Sequence, residues 1–203
     1  MNKFTLFGER CSGTNFLVNL LTTNGLIEVN KFGFKHWFLP SLQLYRPPLN
    51  NSTDVEHKGL PLTDPLSDET VFIVIARNPY QWVASMYNTP HQMSEMKYDD
   101  RYSFLTNPYY CSHPTHYKKN PFIEEAKNII DIRNKKHTHW MYLKNIVKHF
   151  YIISYDNLVD DIKKLPFKLE LNNFRLKNDY ELSDREIKFI DSNLNNEIDK
   201  MLF

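Results

Sequence analysis

The sequence predicts an α/β fold in three layers, a parallel sheet flanked by helices. Three stretches carry that prediction. "TVFIVIA" (70–76) is an unbroken β-branched and aromatic run, as expected of a strand buried on both faces of a parallel sheet. "KFTLFG" (3–8) and "FYIISYDNL" (150–158) have the same character. Segments of helical periodicity lie between them, so the strands are joined by crossovers. In such sheets ligands bind outside the carboxyl ends of the strands.

Taken in order, residues 3–8 form a strand ending in Gly8. Residues 13–24 carry Phe16, Leu17, Leu20 and Leu21 at helical spacing, so the opening is strand, turn, helix. "LIEVNKFGFKHWF" (26–38) has extended character. Residues 39–70, rich in Pro, Asn, Asp, Ser and Thr, read as a long surface excursion. After the 70–76 strand, Pro79 suits the first turn of a helix. Residues 89–121 are rich in Tyr, Pro, His and Asn without periodicity, and are expected to form an irregular lid. From Phe122 to His149, Ala126, Ile129, Ile130, Trp140, Leu143 and Val147 predict one long or broken helix. Residues 183–202 close the chain as an amphipathic helix, with Ser183 and Glu186 in a capping-box pattern. The 203 residues show no repeat or linker, so a single domain over 1–203 is expected.

Lys+Arg of 25 against Asp+Glu of 24 leaves a net charge of +1, which argues against nucleic-acid or membrane-surface binding driven by bulk charge. No window reaches the apolar length of a membrane span. The N-terminus shows no secretory pattern, and Cys11 and Cys111 fit no zinc spacing. A soluble, cytoplasmic protein is the expectation.

Two motifs bear on chemistry. "FGERCSGTNFL" (7–17) has the outline of a phosphate loop: Gly8, Gly13, a hydroxyl at Thr14, then a helix start. Backbone amides of Ser12, Gly13, Thr14 and Asn15 would converge with the helix dipole on an anion. The lysine that would follow the second glycine in a nucleoside triphosphatase is absent, so the loop suits an anion of lower charge, with Arg10 as the nearby cation. Taken alone, it fits a ligand-free strand–helix turn as well. The second motif, "RNPYQWVAS", puts Arg77 at the end of the 70–76 strand and Ser85 just over two helical turns on. Arg77 offers a planar fork for a phosphate; alone, it also fits a strand-end ion pair.

Together and in this order, the motifs resemble those of the sulfotransferases that use 3′-phosphoadenosine 5′-phosphosulfate. The resemblance implies a P-loop-type, sulfotransferase-like topology and sulfuryl transfer to a hydroxyl or amine of a small-molecule or carbohydrate acceptor. "RCSGTN" stands where the family's "P-K-S-G-T-T" loop holds the 5′-phosphosulfate, so Arg10, Cys11, Ser12, Gly13, Thr14, Asn15 and Phe16 carry over as cofactor-binding. "RNPYQWVAS" stands where the family's "R-N-P-x-D-x-x-x-S" holds the 3′-phosphate, so Arg77 and Ser85 carry over. "IISYDNL" resembles the segment whose tyrosine lies near the nucleotide, which brings Tyr155, and "YELSDREIKFI" resembles the family's closing helix. Three positions depart from the pattern. Cys11 replaces the loop lysine, Phe16 replaces a tryptophan, and Arg175 and Lys177 are loose substitutes for an "R-K-G" segment.

An attacking hydroxyl or amine must lose a proton, which calls for a base such as His. The family's "K-x-H" pair is matched by the adjacent Lys35 and His36; adjacent strand residues face opposite ways, so both serve only where the strand ends or bulges. Lys35, His36 and Arg10 are thus the expected catalytic group, with His57 beside Lys58 as the rival and Glu9 as a carboxylate alternative. The reference histidine pKa is about 6.5, and Lys35 would lower it. His113 with His116, and His137 with His139, lack a completing Cys, Asp or Glu, so no metal is expected. "RNKKHTH" (133–139) reads as a solvated helix face or as a basic stripe beside the lid that could meet an anionic or sugar acceptor, and the tyrosines of 87–117 suit a sugar, a phenol or plain packing. Two other functions stand beside the leading one. One is a P-loop nucleotide or small-molecule kinase, for which Asp156 is the nearest magnesium ligand; the other is a non-catalytic binder of adenosine bisphosphate or a glycan.

Overall fold

Thr70–Ala76, whose seven residues are all buried, is an inner strand of the sheet. The computed structural model describes residues 1–33, 35–36, 61–89, 98–113, 122–171 and 181–203, with backbone alone at 110–113 and 122–125. Among the described residues, four strands form an all-parallel sheet in the order β2-β1-β3-β6: β1 (Lys3–Gly8), β2 (Ile27–Glu28), β3 (Thr70–Ala76) and β6 (Phe150–Ser154). A separate antiparallel pair joins β4 (Tyr109–His113) and β5 (Phe122–Ala126). The helices are α1 (Thr14–Thr23), α2 (Pro65–Asp68), α3 (Pro79–Asn88), α4 (Arg101–Thr106), α5 (Ile129–Met141), α6 (Leu158–Ile162), α7 (Asp184–Asn193) and α8 (Asn196–Leu202).

Strand alternation sends side chains to two cores. Phe4 and Leu6 of β1 with Val71, Ile73 and Ile75 of β3 pack on Leu17, Leu20 and Leu21 of α1 and on Leu158 and Ile162 of α6. On the other face, Phe7, Phe72 and Val74 pack on Phe32, Trp140 and Leu143. Each of these side chains contributes about 1.5–3 kcal/mol through burial. Helices therefore cover both faces. Among the described residues, no helix is long and apolar enough to cross a membrane.

Several expectations are corrected. Among the described residues of the 26–38 stretch, only Ile27–Glu28 is a strand; a 3-10 turn (Asn30–Phe32) follows, in which Phe32 turns in against Phe72, the tilted rings 5.0 Å apart. Within 89–121, Arg101–Thr106 is helical, with an Asp100–Ser103 capping box, and Tyr109–His113 is a strand. Phe122–Ala126 is its partner strand, not the start of a helix. The helix begins only after Asn128, whose side chain accepts the Asp131 amide, and it passes into a 3-10 turn at Tyr142–Asn145. The closing helix has the expected Ser183–Glu186 box but breaks at Leu194–Asn195, where Asn195 caps α8.

Candidate functional site

Gly8, Ile75 and Ile153 lie level across the sheet, so β1, β3 and β6 end together. The chain leaves β1 toward β2 and leaves β3 toward β6, which makes the β1/β3 junction a topological switch point, the usual position of a ligand crevice. Gly8 permits this junction: a Cβ there would lie 2.7 Å from the Ile75 carbonyl oxygen. The loop then tightens, with the Glu9 carbonyl accepting the Ser12 amide at 3.3 Å and the Ser12 hydroxyl at 2.5 Å. Cys11 (φ 60°) and Gly13 (φ 89°) both take left-handed conformations. The Leu17 amide donates to the Gly13 carbonyl, which opens α1. Its first-turn amides have no acceptor within the helix and meet the positive end of the helix dipole.

Arg10 is buried, 5% exposed. Its Nη1 donates to Tyr109 Oη at 3.2 Å, and its carbonyl accepts Trp82 Nε1 at 2.8 Å. Arg77, 4% exposed, donates from Nη1 to the Cys11 carbonyl at 3.1 Å and lies 4.7 Å from the centroid of the Tyr155 ring. That ring covers Gly13, where a Cβ would sit 2.6 Å from Tyr155 Cδ2. Ser85 hydrogen-bonds the Cys11 thiol, and burial raises that thiol's pKa above its ordinary value despite Ser85, Arg77 and Arg10. Position 11 is thus a neutral thiol that also reaches the Thr89 carbonyl at 3.8 Å. Ser12 and Thr14 are buried, and Phe16 packs against the core of β1, β3 and α1.

Lys35 and His36 occupy a turn, not a strand, which removes the problem of opposite faces. The Gly8 amide donates to the Lys35 carbonyl at 2.9 Å, and Lys35 Nζ reaches Asn15 Oδ1 at 2.6 Å. His36 Nδ1 is 2.7 Å from the Gly8 carbonyl. A carbonyl only accepts, so Nδ1 carries the hydrogen and Nε2 holds the lone pair. The His36 pKa is lowered to about 3, chiefly by burial; Arg10, Lys136 and Lys35 add to this, and the Gly8 hydrogen bond opposes it. Lys35 was expected to cause the shift, but it ranks behind burial and two other cations.

The "RNKKHTH" stretch is not a solvated face. Arg133, Lys136, His137 and His139 are each 1–2% exposed. Arg133 pairs with Asp199 of α8 at 2.7 Å, and Lys136 Nζ lies 3.9 Å from Glu9 Oε2. Sequence reasoning missed Lys136, Tyr109 and Trp82 as neighbours of the loop. The available signal for Lys136 was its spacing, one turn before Trp140 on the helix face that packs on the sheet.

Asp156 Oδ2 accepts the Asn78 amide at 3.0 Å. Among the described residues, no group of three His, Cys, Asp or Glu side chains is arranged to hold a metal. His57, Lys58, His116, Arg175 and Lys177 lie outside the described residues. The structure thus brings Arg77, Ser85 and Tyr155 against Cys11 and Gly13, and holds Lys35 and His36 against the loop through Asn15 and Gly8. No protein-family model, curated protein or solved structure matches the chain.

Proposed function

We propose that this protein transfers a sulfuryl group from 3′-phosphoadenosine 5′-phosphosulfate to a hydroxyl or amine of a small-molecule or carbohydrate acceptor. The observation that carries the reading is the meeting of two separate motifs at one switch point, with Arg77 bonded to the Cys11 carbonyl and stacked on the ring that covers Gly13. On this reading the loop amides and Arg10 hold the 5′-phosphosulfate, while Arg77 and Ser85 hold the 3′-phosphate. Tyr155 seats the nucleotide. A 3′-phosphate would share Arg77 with the Cys11 carbonyl and Ser85 with the Cys11 thiol. His36 Nε2 takes the acceptor proton. Its low pKa keeps the ring neutral and ready to accept, and the negative charge of the bound donor would raise that pKa and strengthen the base. Asp156, the kinase reading's nearest magnesium ligand, accepts the Asn78 amide through Oδ2.

Arg77→Ala tests the reading. It should fold normally and bind adenosine 3′,5′-bisphosphate far more weakly, while 5′-AMP, which lacks the 3′-phosphate, is little affected. The loss should be about 1.5–3 kcal/mol, the worth of a charge-assisted hydrogen bond. Calorimetric titration showing equal losses for both nucleotides would place Arg77 elsewhere. Magnesium-reversible inhibition by EDTA would favour the kinase, and binding without any transfer would favour the non-catalytic binder.

A further inference from the structure

The loop lacks its lysine in sequence, yet the fold brings one beside it. Phe7 of β1 stacks on Trp140 of α5 with ring centroids 6.4 Å apart. Glu9 lies just past the end of β1, and its carboxylate meets α5 on the face where Phe7 does. Lys136, four residues before Trp140, lies one turn away on the same face of α5, about 6 Å back along the helix. The helix runs against the strand, and Lys136 Nζ lies 3.9 Å from Glu9 Oε2. Both side chains are buried, at 1% and 5% exposure. Taking an ammonium and a carboxylate out of water is costly, and such a pair adds little stability over an apolar one. The placement therefore calls for a role beyond folding.

Arg77, Ser85 and Tyr155 gather around Cys11 and Gly13. His36 Nδ1 is bonded to the carbonyl of Gly8, the residue before Glu9, and Glu9 in turn is paired with Lys136. We propose that Lys136, held by Glu9, is the cation that the loop lacks, and that it binds the sulfuryl oxygens of the donor beside His36. This inference rests on the function proposed above. In the reaction the acceptor oxygen or nitrogen bonds to sulfur as the bond between sulfur and the 5′-phosphate oxygen breaks. The electron pair of that bond stays on the phosphate, and the acceptor proton passes to His36 Nε2. Lys136 keeps its protons throughout and steadies the oxygens of the moving group. Glu9 is a positioning residue.

The test compares two ligands that differ only in the sulfuryl group, adenosine 3′,5′-bisphosphate and 3′-phosphoadenosine 5′-phosphosulfate, by calorimetric titration of the full chain. Lys136→Met should leave bisphosphate affinity within about twofold and weaken phosphosulfate affinity by about tenfold or more, as expected of one charge-assisted contact. Lys136→Arg should restore part of the loss. The double variant Glu9→Gln, Lys136→Met leaves no unpaired buried carboxylate, so it should melt close to the wild type and show the same selective loss. If wild-type protein binds both ligands while the variants lose both equally, or lose neither, Lys136 is a packing residue and the inference fails on its own. If wild-type protein binds neither ligand, the proposed function fails and takes this inference with it.

Discussion

Gly13 holds its place for two separate reasons: its φ of 89°, and the Tyr155 ring 2.6 Å from where a Cβ would be. Gly13→Ala should therefore displace the ring from Arg77 as well as strain the backbone, at a cost of about 1–3 kcal/mol for the conformation alone. Thermal melts should show part of that loss recovered in Gly13→Ala, Tyr155→Ala, because the collision is gone while the strain remains. A double variant no better than the sum of the two singles would mean that the ring does not press on this glycine. His36 offers a second test at this scale. With its pKa near 3, its ring resonances in the free protein should stay constant from about pH 8 down to about pH 4.5, where an ordinary histidine titrates near 6.5. Saturation with adenosine 3′,5′-bisphosphate should bring titration back into that range, since an anion favours the imidazolium. Titration near 6.5 in the free protein would show that the ring is hydrated there and not buried.

Between elements, much of the specificity comes from polar contacts that join segments distant in the chain. Arg101 of α4 binds both oxygens of Glu186 of α7, from Nε at 2.6 Å and from Nη2 at 2.8 Å, while Ser183 donates its amide to the same carboxylate. The Arg101 hydrogen bonds lead in lowering the Glu186 pKa to about 2. A folded pKa below the unfolded one means that the carboxylate adds stability above about pH 4.3, the unfolded value, and that this is lost as pH falls toward 2. Glu186→Gln should cost about 1–3 kcal/mol at neutral pH by removing the charge from these bonds. It should also flatten the dependence of denaturant midpoint on pH between about 4.3 and 2. An unchanged slope in that window would assign the acid sensitivity to other groups. The same logic of register operates on α5, whose 13 residues present Trp140 to Phe7 and Lys136 to Glu9 from one face.

At the scale of the whole molecule, the two cores on either side of the sheet fix where charges are buried, and so fix the response to acid. His137 is 1% exposed, and neither ring nitrogen has a hydrogen-bond partner among the described residues; the ring lies against Trp140 at 5.7 Å. Burial, with Arg133 and Lys136 nearby, holds its pKa well below the ordinary value. His36 is lowered in the same direction. Both are neutral when folded and take up protons when unfolded, so stability is full above about pH 6.5 and declines as pH falls below it. His137→Phe should melt at least as high as the wild type at pH 7, since an unsatisfied buried polar ring is exchanged for an apolar one of similar shape. Between pH 6.5 and 4 it should lose less stability than the wild type. A steeper acid loss in the variant would show that His137 is charged in the folded protein.

The sequence by itself determined the strands at 3–8 and 70–76, the start of the one at 150, the first helix and the Pro79 helix, because each is set by local pattern and by burial on both faces. It also placed Arg77 and Ser85 on one strand–helix unit and put glycine where the loop needs a left-handed turn. Other features depended on pairings between distant segments. Phe122–Ala126 is a strand because Tyr109–His113 lies across from it; by periodicity alone its residues fit a helix. Lys35 and His36 reach the loop through bonds to Gly8, formed where β2 ends early and Phe32 turns inward. The basic stretch 133–139 looks solvated in one dimension, since charge normally seeks water. Only the packed structure supplies Glu9 and Asp199 as partners and makes burial of those cations affordable. Local preference is written residue by residue; the environment that decides a charge's fate comes from the other side of the sheet.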